Sequence, residues 1–152
     1  MKYQQEEITL PGTMWNRGEE TIVSAQIAEG TGLCYHANGG DKSYGWTITH
    51  LASKKALCAP IGTEHEVMLL LERVVGITDW HQDEKILIKH PEHAIKFKEC
   101  QQTIRQELNM QLETAMRQCM PDWLIEDVLN QLEDIEYPIL RNALLYAFKI
   151  VD

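Results

Sequence analysis

Tyr44-Gly45-Trp46-Thr47-Ile48-Thr49-His50-Leu51 (YGWTITHL) is the stretch on which the fold assignment turns. Aromatic and β-branched residues alternate along it, the pattern of a strand with two unlike faces. Trp46, Ile48 and His50 point one way; Thr47, Thr49 and Leu51 point the other. The Trp46/Ile48 side is the more apolar and is expected to face the core. That turns His50 inward and leaves the threonine pair to solvent. The opposite orientation would present Tyr44, Trp46 and His50 as an aromatic recognition surface, but the threonine pair argues against it.

Towards the N-terminus the same reading continues. Thr21 to Ala28 (TIVSAQIA) alternates loosely, and Leu33 to His36 is a shorter run. Asn38-Gly39-Gly40 is a turn signal whose residues tolerate positive φ. Glu7 to Leu10 adds an edge strand before Pro11-Gly12, and Ser53-Lys54-Lys55 reads as a turn into Ala56-Leu57-Cys58. Residues 1–60 hold seven of the nine glycines. The expectation is an antiparallel β-meander of four to five strands.

Beyond residue 60 the period changes from two to between three and four. Thr63-Glu64-His65-Glu66 matches a capping box, and Val67, Leu70, Leu71, Val74 and Val75 follow as one stripe before Gly76. This helix is expected to cover the sheet. Lys85 to Lys89 (KILIK) fits a short strand or a turn of helix. From Pro91 a long helix is expected over about 91–119, with a seam of Phe97, Cys100, Ile104, Leu108, Leu112, Ala115 and Cys119. That seam suits either packing within the chain or a twofold pairing with a second copy, a homodimer. Pro121 opens a helix carrying Leu124, Ile125, Val128, Leu129, Leu132 and Ile135. A last helix, after Pro138, carries Ile139, Leu140, Ala143, Leu144, Ala147, Phe148 and Val151. The expected class is therefore α+β: one domain over 1–152, β-rich in 1–60 and helical in 61–152.

Composition narrows the functional classes. The chain has 152 residues, 44% of them hydrophobic, enough for a folded core. Its net charge is −9. Lys and Arg are few and scattered, which disfavours direct binding of nucleic acid. The polar start is unlike a signal peptide, and no apolar run is long enough to span a membrane. Four separated cysteines without a CxxC pair fit a cytoplasmic protein with reduced thiols.

The charge is unevenly spread. From Pro121 to Glu136 there are six carboxylates (Asp122, Glu126, Asp127, Glu133, Asp134, Glu136) and no Lys, Arg or His. Glu126 and Glu133 are seven apart, as are Asp127 and Asp134, so two carboxylate rows run beside the apolar stripe. Like charges at helical neighbours cost a few tenths of a kcal/mol. A solvated, solubilising face explains such rows; so does a docking face for a Lys/Arg-rich partner.

Chemical motifs are weaker. Cys34 and His36 share a strand face, and His50, Cys58 and His65 complete a zinc-type inventory, but structural zinc sites show tighter ligand pairs. A Cys34–His50 nucleophile pair lacks any family context. Gly30-Thr31-Gly32 and Gly39-Gly40-Asp41-Lys42-Ser43 lack phosphate-loop spacing. No metal or other cofactor is expected, and no catalytic residue is assigned.

Two functions remain. The first is a small acidic binding protein without catalysis, an adaptor or inhibitor that covers a basic partner surface through Asp122, Glu126, Asp127, Glu133 and Asp134. Small acidic phage and plasmid inhibitors of nucleic-acid-handling enzymes, anti-CRISPR proteins among them, offer an analogy of charge and size only. The second is a small-molecule-binding protein or enzyme, with a pocket between sheet and helices near Tyr35, His36, Trp46, His50 and Trp80.

Overall fold

Five strands form one antiparallel sheet in sequence order: β1 (Tyr3–Leu10), β2 (Thr21–Ala28), β3 (Leu33–Ala37), β4 (Trp46–His50) and β5 (Lys55–Ala56). Among the described residues five α-helices follow: α1 (Glu64–Val74), α2 (Glu84–Leu87), α3 (Glu92–Arg117), α4 (Asp122–Leu132) and α5 (Ile139–Ala147). This computed structural model describes residues 1–14, 17–42, 45–58, 61–132 and 139–152. Tyr44, Trp15, Ser43, Ile135 and Pro138, and the acidic residues Glu133, Asp134 and Glu136, lie outside the described residues. The chain is an α+β protein with a β-meander followed by helices. Contacts cluster into two units, Met1–Cys100 and Gln101–Asp152, and α3 contributes to both.

The register sets the faces of the sheet. Gln5 pairs with Gln26, Gln26 with Tyr35, and Tyr35 with Ile48. Paired residues point to the same side. Tyr35, Ile48 and His50 therefore share one face with Ala28 and Leu33. Cys34, His36, Thr47 and Thr49 share the other with Ile8, Val23 and Ala25. β1 begins at Tyr3, earlier than the expected Glu7, because Tyr3 to Leu10 pairs throughout with β2.

The expected solvent face is not wet. Thr47 is 4% exposed and Thr49 1%, like Ile48 on the opposite side at 0%. Their hydroxyls make this tolerable, because buried polar groups need partners. Thr49 Oγ1 lies 2.8 Å from His36 Nε2, and Thr47 donates to Asn38 Oδ1 at 3.2 Å. Ile8, Val23, Ala25 and Cys34 form an apolar cluster on that side, joined by Leu10, Ile27 and Leu51.

On the Tyr35/Ile48 side, α1 lies against β3 and β4. Thr63 caps it: its hydroxyl accepts from the Glu66 amide and donates to the Glu66 carboxylate. Val67, Leu70, Leu71 and Val74 are buried, as the stripe requires. The Trp80 loop closes this layer. Trp80 Nε1 donates to the Val74 carbonyl, and His50 Nε2 donates to the Trp80 carbonyl, both at 2.8 Å. The Lys85 to Lys89 run is helical in its first part, as α2, started by Asp83, whose carboxylate accepts from the Lys85 amide.

In the second unit α3 buries Ile104, Leu108, Leu112 and Met116. The expected seam ended instead at Ala115 and Cys119. Helix α3 stops at Arg117, so its period no longer governs Cys119, which is exposed. Methionine's flexible side chain fills the last turn. On α4, Ile125 and Leu132 are buried. On α5 Arg141 and Leu145 are buried; of the expected stripe Val151 is buried just past the helix, Leu144 and Phe148 are half-buried, and Ile139, Leu140, Ala143 and Ala147 are exposed. Arg141 is held on the buried side by donating from Nε to Asn109 Oδ1 at 2.7 Å. Among the described residues, no helix is long and apolar enough to cross a membrane.

Candidate functional site

The sequence puts Asp122, Glu126 and Asp127 on the polar side of α4, because the stripe beside them must be buried. All three are exposed, with the Asp122 and Glu126 side chains 94% and 68% accessible. The sequence reading missed two features here. The first is Trp123, which is 73% exposed. It lies one residue after Asp122 and three and four before Glu126 and Asp127, so the indole is bordered by carboxylates. The signal was available: Trp123 falls outside the Leu124–Ile125–Val128 stripe. The second is Arg117, at the end of α3. Its guanidinium binds Glu113 at 2.6 Å and reaches Glu126 at 3.6 Å and Asp122 at 3.9 Å. The hydrogen bonds it donates to Glu113, with the other two carboxylates, raise the Arg117 pKa above its already high ordinary value. Arg117 thus offsets part of the negative field at the start of α4, whereas no ion pair involves Asp127 among the described residues.

The five expected pocket residues do not gather into one site. Tyr35 and Trp46 line a shallow cavity of about 270 Å³ with Gln5, Gln26, Lys42 and Glu64. Their rings meet edge-on at 5.9 Å, and Lys42 Nζ stands 5.9 Å from the Trp46 ring centre. The Tyr35 hydroxyl donates to Glu64 Oε1 at 2.9 Å. Burial, reinforced by that carboxylate, drives the Tyr35 phenol well above its ordinary range. His50 and Trp80 are bound to each other and are buried. His36 is on the opposite face of the sheet.

The same geometry separates the candidate nucleophile pair, because Cys34 and His50 project from opposite faces. Burial pushes the Cys34 thiol up to about 11, and the Cys58 thiol likewise to about 11. Neither supplies a thiolate near neutral pH, the form that attacks or binds metal. Cys34 donates instead to the Thr49 carbonyl. His36 and His50 each use both ring nitrogens within the fold: His36 with Ala37 and Thr49, His50 with Ser53 and Trp80.

No protein-family model, curated protein or solved structure matches this chain.

Proposed function

We propose that this is a small acidic binding protein, an adaptor or inhibitor, that docks on a Lys/Arg-rich surface of a partner protein through the outer face of α4. The observation that carries the reading is the exposed Trp123 set among Asp122, Glu126 and Asp127. Carboxylates steer a basic partner and set orientation, but exposed ion pairs contribute little affinity. A large amphipathic ring contributes the burial they lack, and tryptophan is among the residues that dominate interface energies. An indole also accepts Arg or Lys over its face. The net charge of −9 extends the attraction beyond contact range. Glu133 and Asp134 continue the acidic rows in sequence. A surface of this kind competes with a phosphate backbone for a basic groove, which makes a nucleic-acid-handling enzyme a fitting target class.

The test is affinity capture by wild type, by a variant with Lys at Glu126, Asp127, Glu133 and Asp134, and by Trp123→Ala. Binding of the captured protein is then measured with purified components at two salt concentrations. A basic partner whose affinity falls at least about tenfold in each variant, and falls with salt, supports the reading. A partner retained unchanged by the charge-reversed protein at physiological salt overturns it.

A further inference from the structure

The turn between α2 and α3 brings three metal-ligating side chains together within four residues. The His90 amide donates to the Leu87 carbonyl, and the His93 amide donates to the His90 carbonyl at 3.1 Å. Pro91 sits between them, and Glu92 opens α3. This tight turn sets the His90 and His93 rings 5.4 Å apart. One ligand atom from each of His90, Glu92 and His93 lies within 4.8 Å of the other two. His90 Nδ1 and Glu92 Oε1 are already 3.2 Å apart. Two ligands on one tetrahedral ion with bonds of about 2.0–2.1 Å stand roughly 3.3 Å apart, so this pair needs almost no rearrangement.

His93 supplies the second observation. Its ring is backed by Trp80, at 6.5 Å between centres, and Trp80 is itself held from both ends. Its Nδ1 is buried, yet no hydrogen-bond partner reaches it among the described residues. Buried nitrogens without a partner are uncommon and call for an explanation. His36 and His50, by contrast, have both nitrogens engaged. The His93 ring is thus positioned by packing but not committed as a structural hydrogen-bonding group. Glu92 fits the role of third ligand. Its Oε1 already stands beside His90 Nδ1, and it shares the short span in which the three ligand atoms meet.

We propose that His90, Glu92 and His93 form a binding site for one divalent transition-metal ion of the zinc type. Two imidazoles and one carboxylate suit zinc and its neighbours and disfavour calcium and magnesium, which prefer all-oxygen shells. His90 and Glu92 are exposed, so water completes the coordination and the ion keeps an open side. The proposal does not depend on the docking reading.

The test is calorimetric titration of the full chain, free of any affinity tag, with zinc chloride. Wild type is compared with His90→Ala, Glu92→Gln, His93→Gln and Cys119→Ser. One equivalent is expected to bind, with affinity reduced at least about tenfold by each change at the three ligands and unchanged by Cys119→Ser. Histidine ring signals in NMR spectra should shift on zinc addition for His90 and His93 alone. His90 is exposed, so His90→Ala keeps the fold and decides the matter even if a change at His93 disturbs packing. Saturable binding that survives His90→Ala, binding lost in Cys119→Ser, or no binding at all overturns the proposal and leaves His90 and Glu92 as a surface hydrogen-bonded pair only.

Discussion

The imidazole of His50 donates from Nε2 to the carbonyl oxygen of Trp80 at 2.8 Å, tying the fourth strand to a loop thirty residues further along the chain. In the neutral ring Nδ1 is then left to accept from the Ser53 hydroxyl, also at 2.8 Å. Ser53 Oγ in turn accepts from the Lys55 amide. The β4–β5 turn and the Trp80 loop are thereby coupled through one buried side chain.

Removing His50 should cost more than its volume. His50→Ala strands the buried Trp80 carbonyl and opens a cavity, so a loss of about 2–4 kcal/mol is expected from chemical unfolding. His50→Gln, which keeps a donor, should lose less. Equal losses in the two variants would show that the hydrogen bond to Trp80 carries no special weight.

Gly32 is the second grip on that loop. Its φ is +80°, and a Cβ there would meet the Trp80 carbonyl oxygen at 2.8 Å and its carbon at 2.9 Å. Neither contact belongs to a flexible side chain. Gly32→Ala should therefore destabilise by at least about 2 kcal/mol, from the left-handed backbone and the clash together. Gly30, also at positive φ but with open space around its Cβ position, should tolerate alanine better. Thermal unfolding of both variants ranks them.

His36 makes stability depend on pH. Burial is the main cause of a pKa below its ordinary 6.5. The carbonyl of Ala37 fixes the proton on Nδ1, and Nε2 accepts from Thr49. Below pH 6.5 the unfolded chain takes up a proton that the folded chain refuses. Stability is therefore lost as pH falls from about 6.5 towards the folded pKa, by at most about 1.4 kcal/mol per pH unit from this group. Urea midpoints between pH 8 and pH 5 should fall more steeply for wild type than for His36→Gln. Parallel curves would remove His36 from the account.

Arg141 and Asn109 should be energetically coupled. Arg141 is 2% exposed, and Asn109 accepts from it at 2.7 Å. Arg141→Ala leaves a cavity and an unpaired amide oxygen, for a loss of about 3 kcal/mol or more. A double-mutant cycle with Asn109→Ala should return a coupling of about 1–3 kcal/mol. Additive losses would mean that other partners hold the guanidinium.

Sequence period alone determined the order of the elements and the kind of each except the Lys85 to Lys89 run, which fitted strand and helix alike. Alternation from Thr21 to Leu51 could only be satisfied by strands, and the three-to-four spacing after Thr63 only by helices, because side-chain direction follows backbone geometry. The exposure of Asp122, Glu126 and Asp127 was equally legible, since ionised side chains stay in water when the adjoining stripe is buried. Tertiary structure decided where polar side chains are buried and which residues meet. Thr47 and Thr49 read as a wet face in the strand pattern, yet Asn38 and His36 satisfy them in a buried setting. The apolar pattern of α5 does not announce that Arg141, bound to Asn109, is buried beside Leu145. The His90–Glu92–His93 cluster needed the turn at Pro91 and the Trp80 loop behind it. Local pattern reports which way a side chain leaves its own backbone. Only the folded chain supplies a distant partner, and for a polar group that partner decides whether burial is tolerable.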